Sequence, residues 1–287
     1  MPTPLDLGHD ELGECVRWLA GSEQLWRVDV RSGIAHRVQA PTSEVPQVSC
    51  DRFDGEIGFA LPRSGGGFVA GVEQQLWAVD PDGSRELILE LNEQRENRFN
   101  DATCDAQGRL WAGTFSPTPG TANLYRIEPD GSSEVALGGL TISNGLGWLD
   151  GGTALAVIDT PTQRIDVVAV DIESGSLGKP ETLVVINRDH GSPDGIWTDV
   201  EDGIWVALFG GGKIRRYDRT GRLDAELELP VPHVTSVCVS DDPAGELFAT
   251  TARHRLDAAG RERYPLAGCV FHTNVQTAGQ TTLPFQG

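Results

Sequence analysis

A pattern of paired apolar strands recurs along the chain. Each copy contains an apolar or aromatic strand, an acidic or amide residue, a turn and a second strand. A further strand that ends in small residues precedes most copies and alternates with a period of two, as in GRLWAGT from Gly108. The turns use Asp-Gly, Ser-Gly and Thr-Gly, which suit hairpins. The copies begin at Leu25, Leu76, Leu124, Val167, Ile214 and Cys269.

This pattern predicts an all-β fold, a six-bladed β-propeller in one domain over residues 1–287. Units of roughly 40–50 residues with four antiparallel strands are typical of propeller blades, and six copies predict six blades. The copy around Asp29 is short on its N-terminal side. Because an open ring would expose strand edges, we expect the N- and C-terminal segments to join, one strand completing a blade formed mainly by the other end. A β-sandwich whose hairpins resemble one another by accident is the alternative.

Composition narrows the classes of partner. The formal net charge of −19 opposes binding to nucleic acid or to an anionic membrane surface. The five cysteines are odd in number and scattered, so they indicate neither a disulfide framework nor a zinc site. No basic, apolar signal segment opens the chain, and no run reaches the ~18 apolar residues that span a bilayer. We expect a cytoplasmic protein, as a monomer or weak homo-oligomer.

Four oxygen-bearing side chains occupy similar places in four copies. Asn100, Asn144 and Asp194 precede the turns of their copies at similar distances, and Glu14 opens the short first copy. Because innermost strands line a propeller's axis, these side chains can converge and offer the carboxylate and amide oxygens that Ca²⁺, Mg²⁺ or Mn²⁺ prefer. Taken singly, each has a plainer explanation. Asn144 and Asp194 are each followed by glycine, and Asn-Gly and Asp-Gly are common in hairpin turns. Asn100 could form an Asx turn, and Glu14 could be an exposed carboxylate at the end of a strand.

Five segments carry a resemblance to a known family over essentially the whole chain. The chain resembles the regucalcin/gluconolactonase family, also called senescence marker protein, whose members are six-bladed propeller lactonases. The segments are LGECVRW at Leu12–Trp18, NRFNDATCDAQGRLWAGT at Asn97–Thr114, ISNGLGW at Ile142–Trp148, PDGIWTDVEDGIWVALFGGGKIRRYD at Pro193–Asp218 and TTAR at Thr250–Arg253.

The resemblance implies one divalent metal ion, which could be Ca, Zn, Mg, Mn or Fe, held by Glu14, Asn144 and Asp194. Asp194 is also the candidate catalytic base. The resemblance further implies that Arg98 and Asn100 bind the substrate, with Asp101 beside them.

Three points qualify these roles. An ion pair between Arg98 and a neighbouring acid such as Glu96 is the alternative to its substrate role. Cys15-Val16 stands where the family often has Gly-Pro or Ser-Pro, and a family glutamate that contacts substrate would fall near Thr118.

The expected activity is therefore metal-dependent hydrolysis of a sugar lactone, in which the ion polarises the carbonyl and activates water. The chain contains neither a G-x-S-x-G nucleophile elbow nor an HExxH motif. Two alternatives stay open. One is another metal-dependent esterase or phosphotriesterase, and the other is a non-catalytic calcium-binding or protein-interaction propeller.

Overall fold

The computed structural model describes all 287 residues, which form six four-stranded antiparallel sheets. Blade 1 contains β2 (Gly13–Leu19), β3 (Gln24–Asp29), β4 (Ile34–Gln39) and β5 (Gln47–Arg52). Blade 2 contains β6 (Ile57–Pro62), β7 (Phe68–Val72), β8 (Gln75–Val79) and β9 (Arg85–Glu90). Blade 3 contains β10 (Arg98–Cys104), β11 (Leu110–Phe115), β12 (Ala122–Ile127) and β13 (Ser133–Leu140).

Blade 4 contains β14 (Ser143–Leu149), β15 (Ala154–Asp159), β16 (Arg164–Ala169) and β17 (Glu181–Val185). Blade 5 contains β18 (Ser192–Thr198), β19 (Ile204–Phe209), β20 (Lys213–Tyr217) and β21 (Leu223–Glu228). Blade 6 contains β22 (Val234–Val239), β23 (Glu246–Thr251), β24 (Phe271–Asn274) and β1 (Thr3–Pro4). The predicted six-bladed propeller is confirmed.

The two ends of the chain close the ring in blade 6. Strand β1 pairs antiparallel with β24, with Thr3 opposite His272 and Pro4 opposite Phe271. The innermost strand of blade 6, β22, lies against the innermost strand of blade 1, β2. The predicted joining of the terminal segments is therefore confirmed, because a strand from the N-terminal end completes a blade whose other three strands come from the C-terminal part of the chain.

Blade 1 differs from the prediction in one respect, since it is complete without help from either terminus. The copy that begins at Leu25 forms β3 and β4, the second and third strands of its blade. The copy that begins at Leu76 instead forms the third and fourth strands, β8 and β9. The first copy therefore looked short because it lies one strand earlier in its blade. Consecutive hairpins share the same alternation and turn chemistry, so the pattern does not distinguish them.

Aromatic pairs hold neighbouring blades together. The rings of Phe59 in blade 2 and Phe99 in blade 3 meet edge to face at 5.5 Å. Trp18 in blade 1 stacks on Phe248 in blade 6, also at 5.5 Å. Such pairs contribute about 0.5–1.5 kcal/mol beyond the apolar area they bury. They help to fix the order of the blades around the axis.

The C-terminal residues 279–287 cross the end of the ring opposite the predicted site. The backbone N–H of Gln280 donates to the Thr198 carbonyl at 3.0 Å, and that of Phe285 donates to the Pro62 carbonyl at 2.9 Å. The Phe285 side chain is fully buried. This tail ties several blades together and covers one end of the axis.

Helices contribute little to the fold. Short 3₁₀ turns lie at Ala20–Ser22, Asp150–Gly152, Thr160–Thr162 and Arg188–His190, and one α-helix, α1, covers Ala258–Arg263. A helix with the length and apolar character needed to cross a membrane is not found in the structure. All five cysteines are free thiols.

Candidate active site at the propeller axis

Every innermost strand breaks its register once, near the end where the predicted site residues lie. A β-bulge places an extra residue in one strand and re-aims a side chain, which makes bulges common beside active sites. The six register shifts lie between Glu14 and Arg17, Ile57 and Phe59, Phe99 and Ala102, Asn144 and Leu146, Pro193 and Ile196, and Val234 and Ser236. Four of the six breaks carry the oxygen-bearing side chains that were singled out from the repeat.

These side chains meet in one cavity of about 170 Å³, which we call the axial cup. Apolar residues form part of its wall: Leu12, Phe115, Ile142 and Phe209. Polar and charged residues line the rest: Glu14, Arg31, Arg98, Asn100, Asn144, Thr160, Ser192, Asp194, His254 and Arg255. Of the predicted site residues, the cup contains Glu14, Arg98, Asn100, Asn144 and Asp194, but not Asp101.

Two carboxylates face the cup without a hydrogen-bond donor from any side chain. Burial raises the pKa of Glu14 to about 8, and the nearby Asp101 carboxylate adds to this rise. Burial likewise raises the pKa of Asp194 well above its usual range, followed by repulsion from Glu14 and Asp101, while Arg255 opposes the rise. Carboxylates held close together in a poorly solvated place repel each other, and a cation between them would neutralise that repulsion.

A row of hydrogen bonds orients the amides beside these acids. Asn100 Nδ2 donates to Asn144 Oδ1 at 2.8 Å, and Asn144 Nδ2 donates to Thr160 Oγ1 at 2.8 Å. Thr160 Oγ1 donates in turn to the Pro193 carbonyl at 2.9 Å. This row fixes the direction of Asn144 Oδ1, which accepts one hydrogen bond and retains a second lone pair.

The donor set fits a hard divalent cation. No three His, Cys, Asp or Glu side chains converge in metal-binding geometry. A cation in the axial cup would therefore take an amide oxygen, from Asn144, beside the Glu14 and Asp194 carboxylates. Oxygen-only ligands of this kind suit Ca²⁺, Mg²⁺ or Mn²⁺ better than softer metals.

Arg98 is held by an acid from the preceding blade. Its Nε donates to Glu56 Oε2 at 2.7 Å, and its Nη1 donates to the Phe99 carbonyl and to Asn100 Oδ1, both at 2.8 Å. The ion pair that was the alternative interpretation of Arg98 is therefore present, but its partner is Glu56 and not Glu96. The ion pair with Glu56 holds the guanidinium at the wall of the cup, where its remaining N–H groups can reach a ligand.

Asp101 points away from the axial cup. Its Oδ1 accepts from Arg17 Nη2 at 3.2 Å and from the backbone N–H of Ala102 at 2.8 Å. Both side chains of this ion pair are buried. Asp101 therefore contacts the bulge of β10 on the side away from the cup. We assign it a role in positioning this strand.

Cys15, which follows Glu14, has a left-handed backbone with φ of 48°. A non-glycine residue in this region costs about 1–2 kcal/mol, and such strain is concentrated at functional sites. Cys15 is one of the sequence's two departures from the family pattern. The other, Thr118, does not line the axial cup.

The glycines after Asn144 and Asp194 lie inside strands, so their interpretation as hairpin turns is wrong. A Cβ on Gly145 would lie 2.7 Å from the Asp194 carbonyl oxygen. A Cβ on Gly195 would lie 2.8 Å from the Cα of Ser236. Glycine is needed at both places because the innermost strands of adjacent blades approach closely near the axis.

Gly195→Ala is therefore expected to destabilise the fold by about 1–3 kcal/mol through overpacking, and to weaken cation binding by moving Asp194. The measurements are urea unfolding and a metal titration. Gly21→Ala is the matched control, because a Cβ at Gly21 would meet no atom within 4 Å. Equal effects of the two substitutions would contradict the close approach of the strands.

Several residues of the cup were not identified from the sequence. Arg31 follows β3, and His254 and Arg255 follow β23, so none belongs to an innermost strand. Glu56, the partner of Arg98, precedes β6. In the sequence, these residues differ from other polar residues only in lying next to strand ends that face the axis. Many other polar residues have the same position, so it could not single them out.

Comparison with known proteins identifies the group to which this propeller belongs. The family model described as "SMP-30/Gluconolactonase/LRE-like region" matches residues 12–253. The chain belongs to this family. The resemblance inferred from the five sequence segments is thereby confirmed, and the matched region of the SMP-30/gluconolactonase-like chain includes every predicted site residue.

Individual relatives agree with this assignment. Regucalcin of Danio rerio is 31% identical over 268 residues, covering 91% of this chain and 90% of that protein. YvrE of Bacillus subtilis (strain 168), provisionally named a sugar lactone lactonase, is 35% identical over 210 residues, covering 72% of each chain. A solved structure described as a calcium-binding protein, regucalcin, from Agrobacterium tumefaciens str. C58 has a TM-score of 0.93 at 24% identity, covering 100% and 98% of the two chains. The SMP-30/gluconolactonase-like chain is thus a lactonase-type propeller.

Proposed function

We propose that this protein hydrolyses a sugar lactone in the axial cup with the help of one divalent metal ion. The observation that carries the proposal is the convergence of Glu14, Asn144 and Asp194 on one cavity, with no side-chain donor to either carboxylate. Membership of a family that includes gluconolactonases supports the choice of a lactone. Glu14, Asn144 and Asp194 would hold the ion.

In the proposed reaction, a water oxygen bonds to the lactone carbonyl carbon, the bond between that carbon and the ring oxygen breaks, and a proton reaches the ring oxygen. A bound divalent ion supplies Lewis-acid polarisation of the carbonyl and lowers the pKa of water. An Asp194 carboxylate oxygen accepts the proton of the attacking water and returns it to the ring oxygen.

The remaining side chains of the cup orient the substrate. Arg98 donates hydrogen bonds to hydroxyl or ring oxygens from a position fixed by Glu56. Asn100 holds Asn144 through its Nδ2 and so links the substrate-binding wall to the metal ligands. The rings of Phe115 and Phe209 form apolar walls of the cup that exclude water from part of the substrate.

Metal depletion and replacement test this proposal. The full chain is stripped with a chelator and supplied separately with Ca²⁺, Mg²⁺, Mn²⁺, Zn²⁺ or Fe²⁺, and proton release is followed on several aldonolactones. We expect at least one metal to restore opening to about 100-fold or more above the spontaneous rate, since metal-dependent hydrolases lose their activity without the ion. A phosphotriester and a simple aryl ester are assayed in parallel.

Three outcomes would overturn the proposal. Ring opening that stays at the spontaneous rate with every metal would exclude a lactonase. Faster turnover of the phosphotriester or the aryl ester than of any lactone would assign the cup to the alternative hydrolase. Metal binding without turnover of any substrate would favour a calcium-binding scaffold.

A further inference from the structure

Positive charge is concentrated around the axial cup, although the chain as a whole carries a net charge of −19. Three arginines, Arg31, Arg98 and Arg255, line the cup beside only two carboxylates, Glu14 and Asp194. A cluster of three guanidinium groups is unusual in a strongly acidic protein. Once a divalent cation neutralises the two carboxylates, this cluster would attract an anion to the cavity.

The ion pairs of the cup leave part of this charge free. Glu56 pairs with both Arg98 and Arg31, so one carboxylate is shared by two guanidinium groups. Arg255 takes part in no ion pair and lies with its guanidinium 5.7 Å from the ring centroid of Phe209. Once a divalent cation neutralises Glu14 and Asp194, two positive charges remain on the wall of the cup.

Arg31 and Arg255 come from neighbouring blades. Arg31 follows β3 in blade 1, and its side chain is 45% exposed. Arg255 follows β23 in blade 6, the next blade around the ring, and is also exposed. Arg31, His254 and Arg255 all line the same cavity, and the backbone N–H of His254 donates to the Glu11 carbonyl at 2.7 Å, which joins the segment after β23 to the start of blade 1. Blades 1 and 6 therefore present a cationic rim, which we define as Arg31, His254 and Arg255.

We infer that the lactone accepted by this protein carries an anionic group, a carboxylate or a phosphate, at the end of the sugar away from the ring carbonyl. The inference rests on the proposed lactonase function and names its substrate class. The carbonyl would lie toward Glu14, Asn144 and Asp194, while the anionic group would contact the cationic rim. A neutral sugar lactone would accept hydrogen bonds from Arg98 but would give Arg255 no anionic group to pair with.

The chemistry of the rim suits carboxylate or phosphate oxygens. A guanidinium group binds such anions through two parallel N–H donors, and these charge-assisted bonds are about twice as strong as neutral ones. The backbone of Arg255 is left-handed, with φ of 66°, a conformation that non-glycine residues adopt at a cost. Arg255 lies in the turn between β23 and α1, and its side chain lines the cup.

Three lactones of one sugar test the inference. They differ only at the terminal carbon, which carries a hydroxymethyl, a carboxylate or a phosphate group, and kcat/KM is measured by proton release with the metal-loaded full chain. We expect the carboxylate or phosphate compound to exceed the neutral lactone by about tenfold or more, since one such contact gives roughly this factor. The higher of the two identifies the anionic group. The advantage is expected to shrink as salt is added.

Substitution of the rim locates the effect. Arg255→Gln is expected to lower the ratio of kcat/KM between the acidic and neutral lactones about tenfold. Arg222→Gln is the matched control, because Arg222 is 77% exposed and pairs with Asp218 on a hairpin of blade 5. The control is expected to leave the ratio unchanged. Thermal unfolding of both variants shows whether each is folded.

A binding measurement separates this inference from the lactonase proposal. The open-chain acids of the three lactones are titrated calorimetrically into the protein, with and without metal. Tighter binding of the acids that carry the additional carboxylate or phosphate, lost in Arg255→Gln, would support the cationic rim even if no lactone were opened. Equal handling of the neutral and acidic compounds in both assays would overturn the inference and leave the lactonase proposal intact.

Discussion

Asp194→Asn is expected to weaken binding of a divalent ion about 100-fold or more and to reduce lactone opening at least as strongly. The substitution keeps the size of the side chain but removes one of two carboxylates that would hold the cation, and charge count sets the affinity of such sites. The expected losses are measured by metal titration of the stripped protein and by kcat/KM at saturating metal.

The same substitution is expected to raise the stability of the metal-free fold at neutral pH. Asp194 is buried among carboxylates that repel it, and no side chain donates a hydrogen bond to it. Removing that charge relieves the repulsion, so the melting temperature of the stripped protein should rise. Asp54→Asn is the control, because Asp54 is exposed on the surface. A variant that binds metal as tightly as the natural protein would remove Asp194 from the ligand set.

Arg17→Met is expected to destabilise the propeller by about 3–5 kcal/mol, because it leaves Asp101 as an unpaired buried carboxylate. The Arg17 guanidinium donates to Asp101 Oδ1 and, at 2.8 Å, to the Ala102 carbonyl, and it lies 5.2 Å from the ring centroid of Trp197. Arg17 is only 2% exposed, so water cannot replace these contacts. Urea unfolding of the full chain measures the loss.

A double-mutant cycle shows where this loss arises. Asp101→Asn in the Arg17→Met background is expected to restore a large part of the stability, since it removes the unpaired charge. The single variant Asp101→Asn also tests the positioning role, which predicts a change in stability and in the bulge of β10 more than in KM. No rescue in the double variant, together with a large rise in KM for Asp101→Asn alone, would return Asp101 to the substrate-binding residues.

The repeat pattern predicted which innermost-strand side chains line the axial cup, but not the bulges that turn them toward the axis. Similar offsets within the repeat singled out Glu14, Asn100, Asn144 and Asp194, and all four line one cavity. The offset of Glu14 differed from the others because its copy lies one strand earlier in its blade. The bulges that turn these side chains toward the axis interrupt the alternation on which a strand pattern depends, so the pattern could not show them.

The sequence did not predict which charged side chains form ion pairs with one another. Arg98 was matched with a neighbouring acid, whereas its partner Glu56 comes from the preceding blade. Asp101 was predicted to lie with Asn100 in the substrate site, yet at the bulge of β10 the Asp101 carboxylate turns toward Arg17. Residues on loops outside the innermost strands, such as Arg255, had no positional signal in the repeat.

The sequence by itself determined the class of fold, the number of blades and the set of strand ends that approach the axis, because alternation, turn residues and repeat spacing are local properties of the chain. The tertiary structure decided which charges meet. Closing the ring brings blades 1 and 6 together, so that Arg31 and Arg255 line the same cavity, and bulges select which side chains enter the axial cup. Those contacts join residues far apart in the chain, and their geometry exists only once every blade is packed against its neighbours.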